Sequence, residues 1–175
     1  MSGTNTHLKK RHIKTIKFVN KHLEKGTKIL DFGTPNLLSK ALNEDGFSVN
    51  NTAGENLDTD FHKYLDTDAD VITAFEIFEH MLAPFNILSQ IKTKRMIASI
   101  PMKLWFASAY WNEKDDWDKH YHEFEKKQFD FLLEKSGWKV VDSEIWTSSD
   151  WKKIGIRPIL RHFTPRYYIV YCERV

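Results

Sequence analysis

The sequence contains one cysteine, Cys172, which excludes an internal disulfide and any cysteine-rich metal centre. No apolar run approaches the roughly 20 residues that a membrane-spanning helix requires. The opening residues, MSGTNTHLKKRH, are polar and then basic, so we expect no secretory signal. Glycine is also scarce, with 7 residues in a chain of 175. Together these absences predict a cytoplasmic protein without a membrane span.

What the sequence does contain is typical of a folded globular protein. Hydrophobic residues make up 41% of the chain and charged residues 29%, which excludes an intrinsically disordered chain. A length of 175 residues suits one domain with a substantial core. No repeat, low-complexity segment or internal linker divides the chain. We therefore expect a single domain over residues 1–175.

Charge is unevenly distributed although the net charge is only +2. Residues 9–28 hold eight Lys or Arg against the single acid Glu24. Residues 44–79 hold ten acids against the single basic residue Lys63. The basic run is interpreted either as a solvated helix face or as a surface that attracts an anionic substrate, nucleic acid or lipid headgroup.

Hydrophobic periodicity predicts alternating strands and helices. A basic helix is expected over 5–25, and further helices over 37–42, 84–91 and around Phe129 to Leu133. Predicted strands cover 28–32, 47–52, 70–75, 95–101, 140–146 and 166–172. The last two strands are joined by a predicted basic linker that contains Lys152, Lys153, Arg157 and Arg161.

This alternation predicts an α/β fold of the Rossmann-like, doubly wound class. We expect a mostly parallel sheet with helices on both faces and an antiparallel C-terminal edge strand. Ligands of such sheets bind beyond the carboxyl ends of the strands. Acids, aromatic residues and histidines gather at those ends, in residues 31–36, 50–55, 75–80 and 101–111.

Three stretches carry a resemblance to a known family. They are ILDFGTPNLLSKAL, DVITAFEIFEHMLAPFNIL and HYHEFEKKQFDFLLEKSGW. In order and spacing they resemble the first loop, the fourth strand with its Glu-His continuation, and a later segment of class I S-adenosylmethionine (SAM)-dependent methyltransferases of the small-molecule type. The resemblance covers roughly residues 28–146. It implies a cofactor-binding half over 28–92 and an acceptor-side half over 95–175.

The sequence departs from the family pattern in two places. The family's first loop usually has glycine at every second position, whereas here Gly33 is followed by Thr34, Pro35 and Asn36. The acid that normally follows the second strand has no clean equivalent, and Glu55 is the nearest carboxylate. Part of the region between family strands 2 and 4 is missing, which predicts a compact variant of the fold.

The resemblance implies that SAM is the cofactor and suggests residues that bind it. Asp31 would act on the ammonium end, Glu55 on the ribose hydroxyls, and Asp58 or Asp60 on the adenine amine. The full predicted cofactor set is Asp31, Gly33, Thr34, Pro35, Glu55, Asp60, Phe75, Glu76 and Phe78. Alternatives stay open, because Asp31 would also suit a turn cap, Glu55 a solvated loop, and the phenylalanines the core.

For the acceptor side, a histidine with a pKa near neutrality suits removal of the acceptor's proton. His80 is the first candidate and His122 the second, although His80 at a helix start would equally bond to backbone. The predicted acceptor-binding residues are Trp105, Tyr110, Trp111 and His120. The aromatic members of that set would also suit a small core beneath a loop. No third ligand is evident beside His120 and His122, so we expect no metal site.

Three functions follow from these features. The first is methyl transfer from SAM to an oxygen, nitrogen or carbon atom of a small or medium-sized acceptor. The second is a binding or regulatory protein that kept the fold without turnover, which the glycine-poor loop favours. The third is an RNA or DNA methyltransferase, which the basic segments favour, although no nucleic-acid-binding module is evident. Nothing in the sequence indicates an oligomeric state.

Overall fold

A computed structural model describes residues 9–148 and 155–175 of the chain. Within that part, the strands are β1 (Lys28–Asp31), β2 (Ser48–Asn51), β3 (Val71–Phe75), β4 (Arg95–Pro101), β5 (Trp138–Thr147) and β6 (Pro165–Arg174). The helices are α1 (Lys10–His22), α2 (Leu37–Glu44), α3 (Pro84–Gln90), α4 (Lys126–Lys135) and α5 (Ile156–Phe163). Short 3-10 turns cover Phe61–Tyr64, Phe78–His80 and Asp116–Asp118.

The six strands form one sheet in the order β2-β1-β3-β4-β6-β5. The first four strands in that order are parallel, and β6 runs antiparallel to both of its neighbours. This confirms the α/β, mostly parallel sheet with an antiparallel C-terminal strand. That strand lies one position inside the edge, however, and β5 is the edge strand. The reason is that Tyr168 to Cys172 are buried on both faces, whereas β5 exposes many of its residues.

The segment between β2 and β3 is short, as the compact variant requires. In the described structure, residues 52–70 contain the 3-10 turn Phe61–Tyr64 and no further helix or strand. β3 pairs with β1, and β2 is the outer strand on that side of the sheet.

Two hydrophobic cores cover the two faces of the sheet. Phe18 of α1 and Leu42 of α2 pack with Ile29 on one face. Leu88 of α3 and Phe129 of α4 belong to the core on the other face. The apolar stripes of the helices thus bury both sides of the sheet, and the prediction of helices on both faces is confirmed.

Two predicted segments differ from the structure or extend beyond the described residues. Of the N-terminal helix predicted over 5–25, the structure describes α1 from Lys10 to His22, and residues 5–8 lie outside the described part. The predicted basic linker contains α5, which includes Arg157 and Arg161. Its other basic residues, Lys152 and Lys153, lie outside the described part of the chain. Proline is tolerated in a first helical turn, so Pro158 does not prevent this helix. No helix in the described ranges has the length and apolar character needed to cross a membrane.

Candidate active site

A crevice follows the carboxyl ends of β1, β2 and β3 and divides into two cavities. The first, of about 460 Å³, lies beside α1, and the second, of about 500 Å³, lies beside the segment that follows β2. Gly33, Thr34 and Ile77 line both cavities and form the boundary between them. The crevice therefore lies beyond the carboxyl ends of the parallel strands, where ligands of such sheets are expected to bind.

The boundary depends on two glycines in the left-handed region. Gly33 has φ +115°, and a Cβ added there would lie 3.3 Å from Ile77 Cδ1. Gly54 has φ +94°, and its added Cβ would lie 3.1 Å from Thr34 Cγ2. Both positions combine a backbone conformation that favours glycine with a close approach. They allow the loops after β1, β2 and β3 to pack closely together.

Side chains stabilise the rest of the first loop in place of further glycines. Asn36 Oδ1 accepts hydrogen bonds from the amides of Leu38 and Ser39, at 2.8 and 3.1 Å. Ser39 Oγ in turn accepts one from the Asn36 amide, at 3.0 Å. This capping box begins α2 and uses amides that would otherwise be free. Pro35 is exposed and is not among the described residues that line either cavity.

Asp31 joins three strands beneath the first cavity. Its side chain is 2% exposed, and it accepts hydrogen bonds from Thr73 Oγ1 on β3 at 2.6 Å and from Asn51 Nδ2 on β2 at 2.9 Å. Burial raises the pKa of Asp31 to about 6, although the two hydrogen bonds act in the opposite direction. Asp31 lines the first cavity, but both of its oxygens are already engaged.

Glu76 ends β3 at a φ of +58°, an uncommon conformation for a residue other than glycine. Its Oε1 accepts a hydrogen bond from Ser99 Oγ, and its Oε2 accepts one from Arg11 Nη1, each at 2.9 Å. Burial raises the pKa of Glu76, and the nearby Arg11 guanidinium opposes that shift. The first cavity is lined by charges of both signs and by aromatic rings: Lys9, Arg11, His12, Asp31, Glu76, Phe75, Trp146 and Tyr167.

The second cavity combines carboxylates with apolar side chains. Glu55 lines it, and a hydrogen bond from Tyr64 lowers the pKa of the Glu55 carboxyl. Asp58 also lines it, and its two oxygens accept hydrogen bonds from the amides of Leu82 and Ala83, both at 2.8 Å. Its apolar wall includes Leu57, Ile77, Met81 and Leu82. Asp60 is absent from the described lining of both cavities, and its carboxylate lies 3.5 Å from Lys63 Nζ.

The predicted aromatic residues divide between the crevice and other environments. Phe75 lines the first cavity, whereas Phe78 is fully buried in the core, with its ring centroid 6.1 Å from that of Phe129. Trp105, Tyr110 and Trp111 are exposed and do not belong to the described lining of either cavity. Trp117 and Tyr121 line the second cavity instead. The sequence between Leu104 and Phe124 has no clear period, so it gave no sign of which rings would face the crevice.

Of the predicted histidines, His80 lines the second cavity. Its Nδ1 lies 3.1 Å from the Lys119 carbonyl oxygen, and burial lowers the pKa of His80. His120 is 9% exposed, and its Nδ1 lies 3.0 Å from Glu123 Oε1. The two imidazole rings meet edge to face with centroids 4.9 Å apart. His122 lies outside the described lining of both cavities, and its Nε2 is 3.3 Å from the Leu82 carbonyl oxygen.

Sequence reasoning assigned no role to Glu79, which lies directly before His80. Its side chain is fully buried, and neither carboxylate oxygen has a hydrogen-bond partner among the described residues. Burial raises the pKa of Glu79 well above its ordinary value, and the neighbouring Glu76 carboxylate adds to the effect. The available signal was the adjacent Glu-His pair at a predicted strand end.

The basic first helix directs much of its charge toward other groups of the protein. Lys21 Nζ lies 2.6 Å from Asp142 Oδ2, and Lys25 Nζ lies 2.8 Å from Asp45 Oδ2. Lys9 and Arg11 line the first cavity. Part of the basic run therefore forms ion pairs within the protein, and part of it lines the crevice.

The chain was compared with known proteins by sequence and by structure. No protein-family profile matches the sequence, and a search of curated proteins finds no match. Solved structures do match. A SAM-dependent methyltransferase from Archaeoglobus fulgidus superposes with a TM-score of 0.63 at 15% identity, over 93% of this chain and 94% of that chain. A SAM-dependent methyltransferase from Methanosarcina mazei gives 0.62 at 11%, over 90% and 97%.

A third similar structure was solved with the cofactor present. It is phosphoethanolamine N-methyltransferase 2 from Haemonchus contortus in complex with SAM, with a TM-score of 0.57 at 11% identity. The superposition covers 94% of this chain and 52% of that chain. These structural matches, at 11 to 15% identity, show that this chain has the fold of the class I SAM-dependent methyltransferases.

Proposed function

We propose that this chain binds SAM in the crevice and transfers its methyl group to a small or medium-sized acceptor. The observation that carries the proposal is the division of the crevice at Gly33 and Ile77. One cavity presents charges of both signs, and the other presents a carboxylate beside apolar side chains. This division matches the two chemically different ends of SAM.

The residues present fit the cofactor at both ends. In the first cavity, each Glu76 oxygen has a second lone pair with which to accept a hydrogen bond from an ammonium group, while Lys9 offers positive charge to a carboxylate. In the second, Glu55 would accept hydrogen bonds from both ribose hydroxyls, and the wall with Leu57 and Met81 would cover the adenine. When bound, SAM supplies an electrophilic methyl group on its sulfonium.

The remaining task of the protein is to position the acceptor and exclude water. Trp117 and Tyr121 at the second cavity supply apolar surface for that purpose. His80 is the histidine candidate that lines the crevice, and its lowered pKa favours the neutral ring that could accept an acceptor proton. We assign the acceptor to the part of the second cavity that His80, Trp117 and Tyr121 line.

A second candidate function, binding without turnover, is favoured by the first loop. The loop amides at Asn36, Leu38 and Ser39 are engaged in the capping box, so they are not free to contact a ligand. Under this alternative the crevice would hold SAM or a related nucleoside as a regulatory ligand.

Calorimetric titration of the full chain with SAM and with its demethylated product tests both functions. We expect micromolar binding, and we expect Glu55→Ala to weaken it at least tenfold, equivalent to about 1.4 kcal/mol. Asp60→Ala is the matched control, since this neighbouring carboxylate lies outside the described lining. No binding of SAM at millimolar concentration would contradict methyl transfer. Binding without methyl transfer to any of a broad panel of acceptors would favour the second.

A further inference from the structure

We propose that Glu79, His80 and His120 form a binding site for a single divalent transition-metal ion. One potential ligand atom from each residue lies within 4.8 Å of the others. Glu79 and His80 belong to the 3-10 turn after β3, and His120 comes from the segment before α4. The fold thus brings together two chain segments that are about 40 residues apart.

The spacing suits one ion. His80 Nε2 lies 3.7 Å from Glu79 Oε1. Two ligands of a tetrahedral ion with bonds of about 2.1 Å lie roughly 3.4 Å apart, so this pair is already close to the required separation.

The Glu79 carboxylate is the strongest evidence for a missing partner. The side chain is fully buried, yet neither of its oxygens forms a hydrogen bond within the described structure. Buried polar groups are almost always paired, and an unpaired carboxylate is costly. The nearby guanidinium groups are engaged elsewhere, Arg11 with Glu76 and Arg166 Nη1 with the Met102 carbonyl oxygen at 2.6 Å. A cation bound to one of these oxygens would offset the buried negative charge.

The two imidazoles are oriented as metal ligands. A carbonyl oxygen can only accept, so the contact with Lys119 makes His80 Nδ1 a donor. The contact with Glu123 does the same for His120 Nδ1. In each neutral ring this leaves Nε2 with a free lone pair. Histidine ligands in metal sites typically donate their other nitrogen to a carbonyl or carboxylate in this way.

The ligand set also indicates which ions would bind. Two imidazoles and one carboxylate suit Zn²⁺, Fe²⁺, Co²⁺ or Mn²⁺, whereas Mg²⁺ and Ca²⁺ prefer oxygen ligands. Sequence analysis predicted no metal site because no third ligand was evident near His120, and Glu79 now supplies one. Since His80 lines the second cavity, the ion would lie beside the crevice. An ion on His80 Nε2 would occupy the nitrogen that could otherwise act as a base, so the two roles of His80 exclude each other.

Titration of the untagged, chelator-treated full chain with Co²⁺ tests the inference without SAM. We expect saturable binding of one ion per chain, visible absorption from the bound Co²⁺, and a higher melting temperature. Glu79→Gln and His120→Ala should each weaken binding at least tenfold. His122→Ala is the matched control and should leave it unchanged, and Mg²⁺ should bind at least tenfold more weakly than Co²⁺.

Several results would overturn the inference. They are the absence of saturable Co²⁺ binding to the wild-type chain, unchanged affinity in folded Glu79→Gln, or an equal loss of affinity in His122→Ala. Equal affinity for Mg²⁺ would overturn the assignment to a transition metal. Circular dichroism of each variant establishes that it is folded, and the wild-type titration decides the question even if a variant does not fold. SAM titration is independent of every one of these outcomes.

Discussion

Arg11 Nη1 on α1 lies 2.9 Å from Glu76 Oε2 at the end of β3, and this ion pair joins the first helix to the centre of the sheet. Replacing Arg11 by Met would leave the Glu76 carboxylate, whose side chain is 15% exposed, with Ser99 as its hydrogen-bond donor. Removing one partner of a buried pair is strongly destabilising, but Arg11 is partly exposed. We therefore expect Arg11→Met to lower the free energy of unfolding by about 2 kcal/mol, measured by urea denaturation.

Lys10→Met is the matched control for that change, because Lys10 is an exposed basic residue of the same helix. It should alter stability by less than about 0.5 kcal/mol. The double variant Arg11→Met, Glu76→Gln should recover most of the loss, because no unpaired charge remains. If Arg11→Met has the same free energy of unfolding as the wild type, the ion pair does not stabilise the fold.

Alanine substitutions at two glycines distinguish a loss of stability from backbone strain and a loss of SAM affinity from a change in the crevice. Gly33 has φ +115° and borders both cavities, whereas Gly26 has φ +83° and an added Cβ there would meet nothing within 4 Å. Alanine at either position should cost about 1 kcal/mol of stability, because both glycines have a left-handed backbone. Only Gly33→Ala should also weaken SAM binding, at least tenfold by calorimetry. If Gly26→Ala weakens SAM binding to a similar extent, the weaker binding of Gly33→Ala results from lost stability and not from the crevice.

The buried Asp31 carboxyl should make stability depend on pH. Its pKa is raised from 3.8 to about 6 in the folded protein, so between these values the folded state holds a proton that the unfolded state has lost. This contribution is complete below pH 3.8 and disappears as pH rises through 6. Relative to Asp31→Asn, the wild-type free energy of unfolding should fall by about 2 kcal/mol from pH 4 to pH 7.

Urea denaturation at several pH values measures this difference. Asp68→Asn is the control, because the exposed Asp68 carboxylate pairs with Lys28 and its pKa is lowered. The difference between wild type and Asp68→Asn should show no such fall. A difference between wild type and Asp31→Asn that stays constant with pH would contradict the raised pKa.

Asp58 connects the short segment after β2 to the start of α3 through two hydrogen bonds. Asp58→Ala removes both hydrogen bonds to the Leu82 and Ala83 amides, and it should lower the free energy of unfolding by about 2 kcal/mol. Hydrogen exchange should become faster at those two amides. SAM binding should also weaken, because the second cavity loses a fixed wall.

The comparison for that experiment is Asp66→Ala, which removes an exposed ion pair with Lys92. Surface pairs contribute little, so its stability should change by less than about 1 kcal/mol. Unchanged hydrogen exchange at residues 82 and 83 in Asp58→Ala would show that other contacts hold this segment.

Much of the fold could be predicted because strand and helix periods are local properties of sequence. The apolar run of β3 and the alternation between strands and helices required no tertiary knowledge. The inner position of β6 depends on burial of both its faces, and α5 lies within the segment that was predicted to be a basic linker. These features depend on packing between segments that are distant in sequence.

The candidate site was predictable to a similar extent. The carboxyl ends of predicted parallel strands indicated residues 31–36 and 75–80, and Gly33, Glu76 and His80 from those ranges line the crevice. The path of the aromatic segment depends on long-range contacts, such as the hydrogen bond from the Tyr121 amide to the Glu79 carbonyl oxygen at 2.8 Å. Sequence periodicity carries no information about such contacts, so the exposure of Trp105 could not be predicted.

The shortened segment between β2 and β3 makes β2 an outer strand with an unpaired side, and such edges can template aggregation with other chains. Ser48–Asn51 is only four residues long and mostly polar. The Asn43 side chain also accepts a hydrogen bond from the Val49 amide at 2.9 Å and donates one to its carbonyl oxygen at 3.4 Å. Asn43 thus engages two backbone groups of this edge as a neighbouring strand would, so these groups are not available to pair with another chain.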